Sequence, residues 1–456
     1  MYFVGGVFMY KKILILFLFF LFPLNVFALE NKELPKLYIY GDINNMQEKS
    51  DERKIKVKYV SDSSFDSYAI LKVQGASSLR YEKKNYNITF YENSIYKEKK
   101  KVDVKWGEMS KYTLKANWID KTHSRNIVSA RIYSSIQEKY GLFNNTLNHG
   151  VVDGFPIEIY VNDEFHGLYT LNLHKDYFFD LDENNPNNLL IASKATNRVT
   201  NFRAEADINK RGFEVEVGEE SQENIDKLNR LIKFVKDSTD EEFVEHFDEY
   251  LNFDAMLNYY CYMMFAELVD NTDNNIFLVT YDGKIWYISM YDMDISWGGS
   301  NLGRIIPYDT DMHFARNGSA LWEKFERNFG DYIAVRYSEL RKEILTRENI
   351  LKEFNSFYSL IPSEVFVKEQ NKWKDIPGSE ISQVSEFLDV RIDFVDSEIE
   401  KIKTDNYANV YKEFAIDQSI EENKSNLVFF LILGIVIFIV VMIVLMYVRA
   451  KIIIKE

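Results

Sequence analysis

Residues 267–298 read ELVDNTDNNIFLVTYDGKIWYISMYDMDISWG and carry two groups of side-chain oxygens separated by apolar residues. The groups are Asp270, Asp273, Asn274 and Asn275 before the apolar residues, and Asp292 and Asp294 after them. The intervening runs predict two β-strands with a turn at Asp282 and Gly283. Turn chemistry explains some of these residues, because Asn and Asp favour tight turns. The alternative interpretation is a metal site with a general base beside it.

The chain before this stretch is rich in predicted strands. Apolar and polar residues alternate in several runs over 37–90, and residues 111–118 continue the pattern. Residues 155–174 predict a hairpin with Asn162 and Asp163 in its turn. Between them, 124–141 has helical spacing, with Ser124 as a possible N-cap and Gly141 as a possible C-cap.

The chain around and after the stretch is mostly helical by pattern. Residues 224–237, 241–270 and 320–403 show helical apolar spacing, whereas the Asn-rich segment 180–201 predicts a loop. We therefore predict an α+β fold within 29–404. It has a β-rich N-terminal lobe over about 37–175 and an α-rich C-terminal lobe over about 176–404.

Both ends of the chain indicate export and anchoring. Residues 1–28 have the basic, apolar and small-residue regions of a secretory signal peptide. Residues 427–448 are uncharged and long enough for a transmembrane helix, and basic residues follow in the tail 449–456. With 405–426 as a polar stalk, we predict a single-pass protein of the cell membrane. Its globular part is extracytoplasmic and its tail cytoplasmic.

Composition excludes several classes of function. The formal net charge of −15 argues against nucleic acid as a partner. The single cysteine, Cys261, cannot form a disulfide within the chain and is predicted to be a buried core thiol. Motifs of zinc proteases, P-loop proteins and serine hydrolases are absent from the sequence, and the six histidines have no close ligand spacing.

Phosphoryl transfer gives the two oxygen groups a coherent role. In the spacing D-x-x-x-x-N, Asp270 can orient or deprotonate an acceptor hydroxyl, and the amide oxygen of Asn275 can reach a nucleotide-bound metal. Asp292 or Asp294 then supplies the main ligand to Mg²⁺, which prefers oxygen.

Four segments follow one another in an order that is typical of one known family. They are VQGASSLRYEKKNYNITF (73–90), YTLKANWIDKTHSRNIVSARI (112–132), PIEIYVNDEFHGLYTLNLHKD (156–176) and VDNTDNNIFLVTYDGKIWYISMYDMDISWG (269–298). In these segments the chain resembles the CotH kinases, a family of atypical secreted protein kinases of the spore-coat type. The resemblance covers roughly 37–403.

The resemblance implies an atypical kinase-like fold, ATP with Mg²⁺ or Mn²⁺ as cofactors, and a role for each matching residue. Asp270 would be the catalytic base, and Asn275 and Asp292 would hold the metal with Asp294 beside them. Lys84 would contact phosphates. Two further residues would brace phosphate or the active-site loop, namely Arg125 and Asn126.

Departures from the family pattern occur at a few positions. Its arginine and asparagine around the first glycine are Gln74 and Ala76 here, and its acidic residue at the end of the hairpin is His174. Its Pro-Trp before the aspartates is Met290-Tyr291. These changes leave the expected base and metal ligands in place.

The predicted function is a membrane-anchored kinase that transfers the ATP γ-phosphate to Ser or Thr of surface or spore coat proteins. An alternative is a catalytically weak or inactive kinase-fold surface protein that acts in coat assembly or adhesion. A third interpretation is a glycosidase with a carboxylate pair.

Overall fold

The computed structural model describes residues 33–194, 197–207, 212–311, 318–374, 376 and 380–402. The predicted signal peptide at 1–28, the stalk at 405–426, the transmembrane helix at 427–448 and the tail at 449–456 lie outside these residues and stay predictions. Among the residues described, no helix is long and apolar enough to cross a membrane.

The N-terminal part of the chain forms a closed seven-stranded barrel, in the order β1-β2-β3-β4-β7-β9-β8. Strands β1 and β8 pair in parallel, and the other neighbours pair antiparallel. A short additional hairpin is formed by β5 and β6. The strands are β1 Lys36–Tyr40, β2 Glu52–Val60, β3 Phe65–Gln74, β4 Asn85–Tyr91, β5 Val102–Asp103, β6 Glu108–Met109, β7 Lys111–Lys115, β8 Gly154–Val161 and β9 Glu164–Leu173.

Alternation of apolar and polar residues explains why these segments are strands. In β2, Ile55, Val57 and Tyr59 are buried, and the lysines between them are exposed. The hairpin of β8 and β9 turns at Asn162 and Asp163, both with positive φ (49° and 69°), as predicted. The β-rich N-terminal lobe is therefore confirmed.

The C-terminal part combines a second sheet with helices. The sheet has the order β11-β10-β12-β13, and all its neighbours are antiparallel. Its strands are β10 Leu189–Ser193, β11 Phe213–Val217, β12 Ile276–Thr280 and β13 Tyr287–Met290. The α-helices within the described residues are α1 Arg125–Lys139, α2 Gln222–Asp237, α3 Asp240–Glu245, α4 Phe253–Phe265, α5 Ala320–Glu343, α6 Arg347–Tyr358, α7 Ser363–Lys372 and α8 Ser382–Ile399.

Two local predictions were wrong in this part. The segment 180–201 contains β10, because its apolar residues Leu189, Leu190 and Ile191 are buried between two strands. The segment 241–270 is not one helix. It breaks before α4, where Asn252 leaves helical geometry and its side chain accepts a hydrogen bond from the N–H of Ala255. Cys261 is fully buried in α4, as expected.

Helix α1 begins at a cap that the sequence pattern did not identify. Ser124 precedes the helix, but its side chain makes no capping bond. Instead, Asp120 Oδ2 accepts hydrogen bonds from the N–H groups of Ser124 (2.9 Å) and Arg125 (2.8 Å). The carboxylate is buried and complements the positive end of the helix dipole. It therefore ties the start of α1 to the loop that follows β7.

The cap on α1 predicts a large stability effect. We expect Asp120→Ala to lower the free energy of unfolding by about 2–4 kcal/mol, because two buried N–H groups lose a charged acceptor. Ser124→Ala, the matched control, should cost about 1 kcal/mol or less. Urea unfolding measures both variants, and equal losses would contradict the assignment of Asp120 as the cap.

Candidate active site

The hairpin of β12 and β13 brings the two oxygen groups together. Ile276 pairs with Met290, and the N–H of Tyr291 donates to the carbonyl of Asn275 at 3.0 Å. Asn275 Nδ2 then donates to Asp270 Oδ2 at 2.7 Å and lies 3.5 Å from the carbonyl oxygen of Asp292. The structure thus places Asp270, Asn275 and Asp292 at one end of the second sheet.

The backbone at this end of the sheet is held in an uncommon conformation. Asn275 and Asp292 both have φ of 52°, in the left-handed region that non-glycine residues seldom adopt. Glu267, in the preceding turn, has φ of 55°. Such conformations persist only where the surrounding structure fixes them, and they cluster at functional sites.

Lys115, at the end of β7, completes the cluster from the barrel. Its Nζ lies 2.7 Å from Asp292 Oδ1, and its side chain is 7% exposed. Burial alone would lower the pKa of Lys115, but Asp292 and Asp294 outweigh it and hold the pKa above its usual range. Lys115 is therefore an ammonium group. The sequence reasoning missed it, because no local feature separates Lys115 from Lys111 at the other end of the same strand.

The carboxylates are crowded in a poorly solvated site. Burial raises the pKa of Asp294 to about 8, and the neighbouring Asp292 adds to the effect. Burial and Asp292 also raise the pKa of Asp270. An excess of negative charge away from water favours binding of a cation.

The donor set fits a magnesium ion that also binds phosphate. In the described part of the chain, no group of three or more His, Cys, Asp or Glu side chains is arranged to hold a metal by itself. Mg²⁺ commonly takes one or two carboxylates and completes its shell with substrate phosphates and water. Asp292 and Asp294 meet that requirement. Asn275 donates its amide N–H to Asp270, which leaves the amide oxygen as a further donor.

Arg125 and Asn126 support the loop after β13 from the start of α1. The Arg125 guanidinium donates to the carbonyls of Ser296 (2.7 Å) and Trp297 (3.1 Å). Asn126 Oδ1 accepts from the N–H of Met293 at 2.9 Å. Both side chains are buried and contact this loop, and their predicted role of bracing phosphate or the active-site loop stays a prediction.

Lys84 lies apart from this cluster. Its Nζ donates to the carbonyls of Leu79 (2.6 Å) and Tyr81 (2.5 Å), and thereby ties together the turn that follows β3. The adjacent Lys83 is fully buried and pairs with Glu369 of α7. Neither lysine lines the cleft described next. The phosphate-binding role of Lys84 stays a prediction.

A cleft of about 1040 Å³ runs from this cluster between the outer wall of the barrel and the second sheet. The barrel wall contributes Lys72 and Lys111 beside Lys115. The loop that begins at Gly75 also borders the cleft. Gly75 has φ of 128°, a backbone conformation that favours glycine, and a Cβ at this position would lie 2.1 Å from Ser78 Oγ. The volume is at the upper end of the range for small-molecule sites.

Comparison with known families identifies the chain. The family model described as CotH kinase protein matches residues 71–399, from within β3 to the last residue of α8. The chain belongs to the CotH kinase family. This match confirms the resemblance, covers most of the chain, and includes every site residue predicted from the sequence. It points to a kinase-like function. Comparison with curated proteins finds no match.

The residues that depart from the CotH kinase pattern make specific contacts in this chain. Gln74 Nε2 lies 3.3 Å from the hydroxyl of Tyr291, so two departing positions contact each other across the cleft. His174 leaves the end of the hairpin without the family's acid, but Asp176 follows and lines the cleft. Asp176 pairs with Lys111 at 2.9 Å and with His174 Nδ1 at 3.0 Å. A lysine–carboxylate pair, Lys111 with Asp176, therefore lies two residues from the position of the family's acid.

Glu267, which precedes the site in this CotH family member, forms a buried pair with Arg391 of α8. Their closest atoms are 3.5 Å apart, and both side chains are fully buried. Burial raises the pKa of Glu267 to about 7, although Arg391 opposes the shift. An unfolded Glu titrates near pH ~4.3. Between the unfolded pKa and the native pKa of Glu267, the native state therefore binds more protons than the unfolded state. The contribution of Glu267 to the free energy of unfolding is full below the unfolded pKa and is lost as the pH rises through the native pKa.

Glu267→Gln is expected to flatten the pH dependence of stability. Between about pH 5.5 and 8, the wild type should lose about 2 kcal/mol of unfolding free energy that the variant retains. Urea unfolding at steps of pH measures the difference. Parallel profiles for the two proteins would contradict the raised pKa.

Proposed function

We propose that this CotH family member is a membrane-anchored protein kinase. It transfers the γ-phosphate of ATP to Ser or Thr hydroxyls of surface or spore coat proteins, with Mg²⁺ or Mn²⁺ as the metal. The observation that carries the proposal is the convergence of Asp270, Asn275 and Asp292 with Lys115 at one end of the cleft. The leader at 1–28 and the apolar segment 427–448 support an anchored, extracytoplasmic kinase.

Each side chain of the cluster has a separate task in this proposal. Asp270 accepts the proton of the acceptor hydroxyl, and its raised pKa makes it a better base than an exposed Asp. The hydrogen bond from Asn275 fixes the orientation of that carboxylate. Mg²⁺, held by Asp292, Asp294 and the Asn275 amide oxygen, would supply positive charge at the phosphates.

Lys115 supplies the fixed positive charge of the site. Its ammonium group lies in the cleft beside Asp292, where it can neutralise phosphate oxygens. Arg125 and Asn126 hold the loop that carries Asp294, so they act through position. Catalysis in this arrangement comes from orientation and charge neutralisation rather than from covalent chemistry.

A matched pair of lysine variants tests the proposal. With full-length chain, Mn²⁺ and a fluorescent ATP analogue, Lys115→Met should weaken nucleotide binding about 10- to 100-fold, because a charge-assisted contact is lost. Lys84→Met should have a smaller effect, since Lys84 binds backbone carbonyls. The reverse order of effects would return the phosphate contact to Lys84.

Transfer of labelled γ-phosphate by the wild type completes the test. Incorporation into a protein acceptor is expected with either metal and not with EDTA. A wild-type chain that neither binds nucleotide nor transfers phosphate would refute the proposed kinase. The alternative of an inactive kinase-fold surface protein in coat assembly or adhesion would then stand.

A further inference from the structure

The cleft runs along the edge of the second sheet as well as past the catalytic cluster. Strand β11 is the last strand of that sheet, and in the described residues no strand pairs with its other side. All residues of Phe213–Val217 line the cleft, although their side chains alternate between the two faces of the sheet. The cleft therefore wraps around the strand edge.

The register of β11 shows which backbone groups face the cleft. The N–H of Lys194 donates to the carbonyl of Gly212 at 2.9 Å, and Ser193 is the Cα partner of Phe213. Because backbone groups alternate sides along a strand, those of Phe213 and Val215 point away from β10. They form a short unpaired edge of the kind that accepts an added strand.

The charges along the cleft differ between its two walls. The barrel wall carries the lysines described above, which suit phosphate. The wall around β11 carries more carboxylates than ammonium groups. Exposed Glu183, Asp207, Glu214 and Glu220 line the cleft there, while Glu216 pairs with Lys175 and Lys194 of the same wall. The side chain of Glu214, on one face of β11, is 63% exposed, and its Oε2 lies 3.4 Å from Lys194 Nζ. The other face presents partly buried Phe213 and Val215. A strand beside β11 would therefore meet acid on one face and apolar groups on the other.

The edge lies at a useful distance from Asp270. Ser193 Oγ accepts from the N–H of Ile276 at 2.8 Å, so the Phe213 end of β11 is level with Asn275. A strand added to β11 would be about 14 Å from β12, at ~4.8 Å for each strand spacing. Extended chain covers that distance in about four residues.

We propose that β11 is the docking edge for the acceptor polypeptide. A basic, extended segment with alternating Lys or Arg and apolar residues adds to β11 as a strand, and its hydroxyl acceptor lies about four residues beyond. This proposal rests on the proposed kinase function, because the edge is a substrate site only if the protein is a kinase. Binding is measured without turnover, so the two can fail separately.

Peptides provide the first test, with full-length chain and fluorescence anisotropy. Two probes each contain a run of alternating Lys and Val and a single Ser. The Ser lies about four residues before the run in one probe and about four residues after it in the other. We expect both probes to bind, and a peptide with Glu in place of Lys to bind at least about tenfold more weakly. N-methylation of alternate backbone amides should abolish binding in only one of the two possible patterns, because only one set of N–H groups faces β11.

Variants of Val215 provide the second test. Val215→Pro removes an N–H that faces the cleft and keeps the pairing with β10, so peptide binding should fall about tenfold or more. Val215→Thr retains the N–H and should bind as the wild type does. Nucleotide affinity, which does not depend on this edge, should be equal in both variants and reports correct folding. If Val215→Pro misfolds, the binding of the two N-methylated peptides to the wild-type chain tests the docking edge instead.

Several outcomes would overturn the docking edge. The first is that neither Lys-Val probe binds, and the second is that both N-methylated peptides bind equally. The third is that peptides do not bind, while the wild type forms a dimer that the Val215→Pro substitution dissociates. The last result would assign the edge to a second copy of the chain. Peptide binding without nucleotide binding would leave the docking edge in place and refute the proposed kinase.

Discussion

Asparagine in place of Asp292 is expected to lower phosphate transfer by about 10³-fold or more. The side chain of Asp292 joins two parts of the site, since its Oδ1 lies 2.7 Å from Lys115 Nζ and the proposed function assigns it to the metal. Asn keeps the shape but removes the charge. We therefore expect metal-dependent nucleotide affinity to fall together with transfer.

Asp270→Asn distinguishes the base from the metal ligand. Without its carboxylate, transfer should fall about 10²- to 10⁴-fold, the usual contribution of a general base. Nucleotide affinity should change little, because Asp270 contacts Asn275 and faces the acceptor in the proposed arrangement. Labelled-phosphate transfer and nucleotide titration measure the two variants side by side.

Asp282→Asn is the matched control for both variants. Asp282 lies at the far end of the same hairpin, where its carboxylate accepts from the N–H groups of Lys284 and Ile285. Asn can serve the same turn, so activity should stay near that of the wild type. Equal activity in all three variants would show that the cluster carries no chemistry.

Glu369→Ala is expected to give the largest loss of stability, about 3–5 kcal/mol. Lys83 Nζ is buried and lies 2.5 Å from Glu369 Oε1, and it also donates to the carbonyls of Ala116 and Leu168. Glu369 Oε2 accepts from the N–H of Leu168 at 2.6 Å. Removal of the carboxylate leaves a buried cation without its counter-charge and an N–H without an acceptor.

A double variant separates the buried charge from the lost contacts. Lys83→Met combined with Glu369→Gln removes both charges and keeps an acceptor for Leu168, so part of the stability should return. Glu364→Ala, on the exposed face of the same helix, should cost about 0.5 kcal/mol or less. Urea unfolding tests all of them. A Glu369→Ala loss no larger than that of Glu364→Ala would contradict the importance of this pair.

Much of the β-rich lobe could be predicted because its strands have one buried face. Alternation in β2, for example, directly reflects which side chains enter the barrel. The prediction failed at β10, whose apolar run is short, and at the break before α4. At β10 the neighbouring strands determine the structure, whereas the break before α4 follows from the local cap at Asn252.

The proximity of three candidate site residues was predictable for a related reason. Asp270, Asn275 and Asp292 are joined by one hairpin, so their proximity follows from local turn and strand signals. The cap of α1 was assigned to Ser124, although Asp120, a few residues earlier, supplies the bond. A spacing pattern identifies that a helix begins, but the folded loop selects which oxygen reaches the N–H groups.

The sequence by itself determined the family, the α+β order of elements and the proximity of Asp270, Asn275 and Asp292, because each depends on residues close in the chain. The tertiary structure decided which lysine enters the site. Lys115 is 177 residues from Asp292 in sequence, and only the packing of the barrel on the second sheet brings them together. Lys84 carries the family motif, yet its ammonium group is held by neighbouring carbonyls. Long-range contacts of this kind leave no local pattern, since their geometry exists only after both lobes have folded.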